Sequence, residues 1–355
     1  MSQAVIAAIN HAPWTEYGRK LWSTAPKWNP KESEMQTIPD RFSGVATLPP
    51  DRRFVAFDYP GLKIGIAEYD EGPTGCTVLS FDTPTTCVSD IRGGAPGFLG
   101  GYGVADAICL AGGSLYGLEA ASGVSAEILK ERGIARWEQI ACVQSAIIFD
   151  FDARATTVYP DKALGALART NAMSGGCPVG QVGAGRLATV GKVLESTRYR
   201  PEAGGQGAAF REVNTVKVLV VTVVNALGVI VDRSGKVIRG LRDSETGTRM
   251  HPRDVIDVSP ESEAASARHG GGNTTVTALV INRKIERLSL DQLARQVHAS
   301  MARAIHPFHT IHDGDVLFAL STDATGQDAL DDFTLGEVAC DVAWDAVINA
   351  VEPRS

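Results

Sequence analysis

Long apolar runs are missing from this chain: no uninterrupted segment approaches the about 18 residues that a membrane-crossing helix needs. Basic residues are in the minority, 34 Lys and Arg against 41 Asp and Glu, giving a net charge of −7. That balance argues against nucleic acid or an anionic membrane surface as the main partner. The opening stretch MSQAVIAAINHAPWTEYGRK lacks the basic-then-apolar order of a secretory signal. Asn10 and His11 interrupt its apolar run, so a cytoplasmic location is expected. Cysteine is sparse and scattered. Cys76, Cys87, Cys109, Cys142, Cys177 and Cys340 form no C-x-x-C pair, which fits free buried thiols better than a disulfide framework. None has a local setting that marks it as a nucleophile.

Several common chemical motifs also fail. In GRLATVGKV, Gly185 and Gly191 stand one residue too far apart for a phosphate-binding loop, and Val193 replaces the hydroxyl residue that would hold magnesium. No G-x-G-x-x-G follows a strand, so the glycine-rich turns specify no dinucleotide site. The seven histidines contain no H-E-x-x-H, and His306, His309 and His312 in HPFHTIHDGD lack a helical ligand spacing. No metal or organic cofactor is therefore expected. Asn273-Thr274-Thr275 fits a glycosylation pattern, but nothing else in the sequence points to the secretory pathway.

What is present is a chain of 355 residues, 44% hydrophobic, enough for one large core or two moderate ones. Its 37 glycines cluster in IRGGAPGFLGGYG, LAGGSLYG and NAMSGGCPVGQVGAG, implying tight turns and close backbone approaches. Residues 1–50 read as an arm packed over the surface. RRFVAFDY, LKIGIAEY and CTVLSF are strand candidates separated by Pro-Gly or Gly-Pro signals. Residues 102–133 carry apolar positions at helical spacing, VQSAIIFDF reads as a buried strand, and PDKALGALARTNA as a helix. VKVLVVTVVNALGVIVD (216–232) is nearly continuous β-branched sequence, as a strand covered on both faces requires, with a bend at Asn225–Gly228. Residues 241–272 form a polar connector of a length that calls for a functional reason. A helix capped by Ser289, a strand DVLFALST and an amphipathic helix from Leu335 complete the pattern. Strands and helices mix throughout without an internal repeat, predicting one sheet-centred α/β or α+β unit.

One stretch asks for chemistry. ARHGGGNTTVTALVINRKI (267–285) places a flexible loop and two threonines directly before a buried strand. A threonine inside a chain is a poor nucleophile. At a chain's N-terminus it carries its own base, an α-amine with a pKa of about 7.7–8.0. Attack by the Thr274 hydroxyl on the Asn273 carbonyl would exchange the peptide bond for an ester. Hydrolysis would then leave chains 1–273 and 274–355, the second of 82 residues. On local sequence alone, a glycine loop entering a strand reads first as a structural turn.

HGGGNTTVTALVIN resembles the processing site of the aminohexanoate-oligomer hydrolases, within the family of L-aminopeptidase/D-esterases and β-peptidyl aminopeptidases. Asp58-Tyr59-Pro60-Gly61, EGPTGCTV, AICLAGGSLYGLEAASGVS, YPDKALG, GQGAAFR, GVIVDRSGKVIRG, PFHTIHDGDVLFALSTD and VAWDAV resemble its segments in the same order, across residues 50–350. The resemblance implies a self-cleaving hydrolase of the N-terminal-nucleophile (Ntn) type, an α/β/β/α sandwich with family-specific connectivity in which both chains form one folded domain.

Carried over by position, Thr274 matches the nucleophile and Asn273 the carbonyl side of the scissile bond. Asp313 and Asp315 match an acidic pair that orients the nucleophile and its amine, Asn225 an asparagine of the oxyanion site, and Lys192 a lysine near the same centre. On the residues alone, Asp-Gly-Asp reads first as a turn, Asn225 as a turn former and Lys192 as a solvated side chain. Phe149 stands where the resemblance leads one to expect tyrosine, which removes a hydroxyl. The implied substrates are linear 6-aminohexanoate oligomers; the alternatives are short peptides, amides or esters with an N-terminal β- or α-amino acid, or an unprocessed scaffold without activity. The resemblance also implies a homo-oligomer of processed protomers, dimer or tetramer.

Overall fold

The computed structural model describes residues 53–152, 154, 156–256 and 272–352. The arm expected over 1–50 and the connector residues 257–271 lie outside them. The main hydrogen-bonded network has nine strands: β1 (Leu62–Tyr69), β2 (Thr74–Ile91), β3 (Phe98–Leu99), β4 (Val104–Ala111), β5 (Val143–Ile147), β6 (Gly205–Val213), β7 (Val216–Asn225), β8 (Thr274–Arg283) and β9 (Val316–Thr325). Their order is β6-β7-β8-β9-β2-β4-β5-β3, with β1 also on β2.

The long strand β2 divides this network into two layers. Its first half pairs with β1 and β4, and its second half, Thr86–Ile91, pairs antiparallel with β9. Alternation along β7 shows what lies on each side. Leu219, Val221 and Val223 enter a core shared with Val276, Val280 and Phe318 of β8 and β9 and with Leu62, Leu79 and Ile108 of the other layer. Val218, Val220 and Val224 point the opposite way, into a core built with Leu290, Leu293, Val297, Leu335 and Val347. Those last residues belong to α3 (Arg287–Ser300) and α4 (Asp332–Val351), while α1 (Glu119–Arg132) and α2 (Lys162–Thr170) cover the other sheet. The result is the expected α/β/β/α sandwich. Both faces of β7 and β8 are covered, which is why their sequences are almost uninterrupted Val, Thr, Leu and Ile. Among the described residues no helix is long and apolar enough to cross a membrane.

Two expectations need correction. The run 102–133 is not one helical pattern: Val104–Ala111 is β4, and α1 begins only at Glu119. Val104, Ala107, Ile108 and Ala111 sit at i, i+3, i+4 and i+7, so a strand buried along nearly its whole length mimics a helical stripe. Ser289 is not a cap either; α3 starts two residues earlier, with Glu286 in the cap position. Asp161 and Asp331, by contrast, do cap α2 and α4, accepting from the N–H groups of Leu164 and Thr334.

Topology assembles the site. Antiparallel β7 ends where β8 begins, pairing Asn225 with Thr274. Parallel β9 begins at that same end, so Val276 faces Val316 and Asn273 bridges to Asp313. The end of one strand, the start of the next and the turn before a third thus meet at one edge of the sheet.

Candidate active site

Thr274 is buried, 4% exposed, and its hydroxyl donates to the carbonyl oxygen of Asn273 at 2.5 Å. The same carbonyl accepts the backbone N–H of Gly314 at 2.9 Å. A hydroxyl therefore lies against the peptide it would attack, with a donor already placed on the oxygen that would gain charge. Gly314 has no room for a side chain: a Cβ there would lie 2.4 Å from the Ala95 carbonyl oxygen and 3.0 Å from Thr274 Oγ1.

Lys192 and Asn225 meet on the other side of the loop. Asn225 Nδ2 donates to the Gly272 carbonyl at 2.8 Å and to the Phe149 carbonyl at 2.9 Å. Its Oδ1 accepts from the Thr189 N–H at 2.9 Å and from Lys192 Nζ at 3.1 Å. Lys192 also donates to the carbonyl oxygens of Asn225 at 3.0 Å and Gly272 at 3.4 Å. In the uncut chain these donors hold the carbonyl one residue upstream of the Asn273–Thr274 bond. Burial pushes the Lys192 ammonium down to about 7, against the attraction of Asp152, Asp313 and Glu195.

The two carboxylates flanking Gly314 are both buried but turn to different partners. Asp313 accepts from the Thr310 N–H and hydroxyl at 2.8 and 2.6 Å, and more loosely from the Leu227 N–H at 3.5 Å. Asp315 accepts from the Thr275 N–H at 2.6 Å and contacts His309 Nδ1 at 2.9 Å. Neither accepts from the Thr274 hydroxyl: Asp313 bridges to Asn273 in parallel just before β9 begins, and the two carboxylates are held by different donors. Burial pushes the Asp315 carboxyl up to about 6; His309 and the Thr275 N–H pull it down, and Asp313 raises it further.

All the residues singled out from the sequence gather within one network: Thr274, Asn273, Asp313, Asp315, Asn225 and Lys192. Phe149 joins them through its carbonyl, and its ring packs beside Gly272 and edge-on to Phe151. Sequence reasoning missed the Gly314 N–H, Thr189, Thr310 and the contact from His309 to Asp315. A backbone donor has no residue signature, and only the crowding of histidines in HPFHTIHDGD hinted at the last. The cysteines offer no rival nucleophile in this network. Burial pushes Cys87 and Cys177 up to about 12, and raises half-buried Cys142 as well.

The model of peptidase family S58 matches residues 56–353. A 6-aminohexanoate-oligomer endohydrolase of Paenarthrobacter ureafaciens is 45% identical over 331 residues, covering 88% of this chain and 90% of the relative. One from Kocuria sp. (strain KY2) is 43% identical over 335 residues, 91% of each chain. The solved L-aminopeptidase D-Ala-esterase/amidase from Ochrobactrum anthropi, described as a new variant of the Ntn hydrolase fold, superposes with a TM-score of 0.58. It is 15% identical and covers 84% of this chain and 88% of its own, a likeness of fold. With the family model spanning nearly every described residue and relatives above 40% identity, the chain belongs to peptidase family S58 and is an amide-bond hydrolase.

Proposed function

We propose that the protein cuts itself between Asn273 and Thr274 and then uses Thr274 as an N-terminal nucleophile against the amide bonds of 6-aminohexanoate oligomers. The observation that carries this reading is the Thr274 hydroxyl held at 2.5 Å from the Asn273 oxygen while the Gly314 N–H donates to that oxygen. Oγ1 attacks the Asn273 carbonyl carbon, and the Gly314 N–H holds the developing oxyanion. The C–N bond breaks, its nitrogen takes the hydroxyl proton, and an ester replaces the peptide. Water hydrolyses the ester, leaving Asn273 as a carboxylate and Thr274 with a free amine.

Cleavage also allows the Gly272 carbonyl to leave the donors of Asn225 and Lys192, which a substrate carbonyl then takes over. The Thr274 amine accepts the hydroxyl proton, Oγ1 attacks, and the amine product departs with a proton. Water then resolves the acyl-threonine. Every step uses groups of the chain itself. The acidic pair supports the charged amine, Asp315 through its hold on the first peptide of β8. The two chains, 1–273 and 274–355, remain one folded domain, and the processed protomers assemble as a dimer or tetramer.

The substrate class rests on relatives named as oligomer endohydrolases, together covering about nine-tenths of this chain's length. Peptides, amides and esters with an N-terminal β- or α-amino acid are the second reading, and turnover of a β-alanyl amide beside an aminohexanoate oligomer separates the two. The decisive measurement is N-terminal sequencing of the smaller fragment, which should read T-T-V-T-A-L. Thr274→Ala should abolish both processing and hydrolysis. An active preparation that stays a single intact chain would sink the mechanism.

A further inference from the structure

His309 stands outside the residues assigned so far, yet its surroundings tie it to them. Its backbone has φ +58°, a left-handed conformation that a residue with a Cβ adopts only when its surroundings hold it there. The ring is stacked on Phe308, centroids 3.8 Å apart, and meets the buried ring of His298 edge-on at 4.4 Å. In that pose two groups of His309 converge on one oxygen. The backbone N–H and Nδ1 lie 3.2 and 2.9 Å from Asp315 Oδ2. The other oxygen, Oδ1, accepts the Thr275 N–H at 2.6 Å, the first peptide after the nucleophile. The Nε2 atoms of His309 and His298 are buried without a hydrogen-bond partner among the described residues. A ring kept there for packing alone would leave that cost without return.

We propose that His309 is a positioning residue for the reaction at Thr274: its Nδ1–H and backbone N–H hold one oxygen of Asp315, keeping the carboxylate charged and its other oxygen on the strand that bears the nucleophile. The role rests on Thr274 being that nucleophile. The charged and titratable groups around the ring are Asp315 and, through it, Asp313 from its own loop, and His298 from α3, backed by Asp90 of β2 and Arg92 just after that strand. His298 bonds Asp90 at 2.9 Å, and burial pushes it down to about 4. It therefore stays neutral across the working range, and Nδ1 of His309 is the side-chain donor facing Asp315. Losing that donor removes an influence that lowers the carboxyl, so the carboxyl titrates higher.

Two substitutions separate the donor from the ring and from the backbone. Glycine accepts the left-handed conformation and has no donor. Asparagine tolerates that conformation too and carries an Nδ2–H at about the place of Nδ1. In processed protein, His309→Gly should lower kcat about tenfold at neutral pH with KM little changed, and should move the acidic limb of the kcat profile to higher pH. His309→Asn should restore both the rate and the position of the limb. An unmoved limb in a folded His309→Gly protein overturns the role, as does a His309→Asn limb shifted like that of the glycine variant, which would leave packing of the ring as the function. If His309→Gly does not fold, the asparagine limb alone decides, at the wild-type position or above it. A wild-type protein that neither processes nor hydrolyses amides fails at Thr274 instead, an outcome visible before any His309 variant is compared.

Discussion

Enclosing an ammonium among protein atoms costs free energy that a neutral side chain of the same length avoids. Lys192 bears that cost beside the scissile loop, with its titration brought down from 10.5 to about 7. Between those values the unfolded chain binds the proton that the folded one has released, so this group makes stability rise with pH across the window and stay level below it. Lys192→Met removes the cost. Placed in a Thr274→Ala background, which keeps the chain intact, it should raise stability at pH 6 by roughly a few kcal/mol, with the gain shrinking toward pH 10. In the processable chain it should lower amide turnover tenfold or more, because a donor at the substrate carbonyl is lost. Thermal melts at pH 6 and 9.5 with turnover at pH 7 check both halves, and an identical melting gap at the two pH values would contradict the first. At this scale, Asp-Gly-Asp, Asn225 and Lys192 read on the residues alone as turn or solvated residues, and the side chains of Thr310 and His309 were given no role. The family resemblance is what singled out Thr274, Asn225, Lys192 and the two aspartates. The Gly314 N–H was legible in neither, because any residue type carries a backbone amide and only the fold decides where it points.

Elements were legible where burial is one-sided, as in α4, or where length separates strand from helix, as in β7. They were misread where a strand is covered on both faces and its apolar spacing fits either period, as in Val104–Ala111. Close backbone approaches also occur at glycines outside the clusters, at the crossing of α1 and α2. A Cβ on Gly123 would lie 1.9 Å from the Lys162 carbonyl oxygen, and one on Gly165 would lie 1.9 Å from that of Ala120. Helices in backbone contact cannot admit even a methyl group without separating. Gly165→Ala should therefore destabilise the protein by about 1–3 kcal/mol despite the better helix propensity of alanine. Processing should persist at temperatures where the variant is folded, because the crossing covers the sheet opposite the one that holds Thr274. Urea unfolding of the intact Thr274→Ala chain with and without Gly165→Ala measures the cost, and a stabilised double variant would show that the helices move apart freely.

The proposed cut falls at the start of β8, which is hydrogen-bonded on both sides, to β7 from what would be the longer chain and to β9 from its own. Processing thus severs the backbone without releasing an edge. The shorter chain contributes β8, β9, α3 and α4, and cannot leave without exposing the inter-sheet core and the helix-facing core together. Native chromatography with light scattering should show both fragments in one particle whose mass is a multiple of the whole 37.6 kDa protomer, two or four for the proposed oligomers. A single protomer at micromolar concentration would reject the assembly while leaving the fold untouched. Refolding exposes what the cut has changed. In the intact Thr274→Ala protein, β7 and β8 are tethered through the connector, and their pairing is intramolecular. After processing it becomes an encounter of two chains, so recovery from urea should slow on dilution far more steeply than for the intact variant. Assembly of protomers adds concentration dependence to both proteins, and the difference between them isolates the cut. Equal dilution behaviour would mean that the two fragments stay associated in the denatured state or that each folds alone, and 82 residues supplying two central strands and the helices over one face have no second sheet against which to do so.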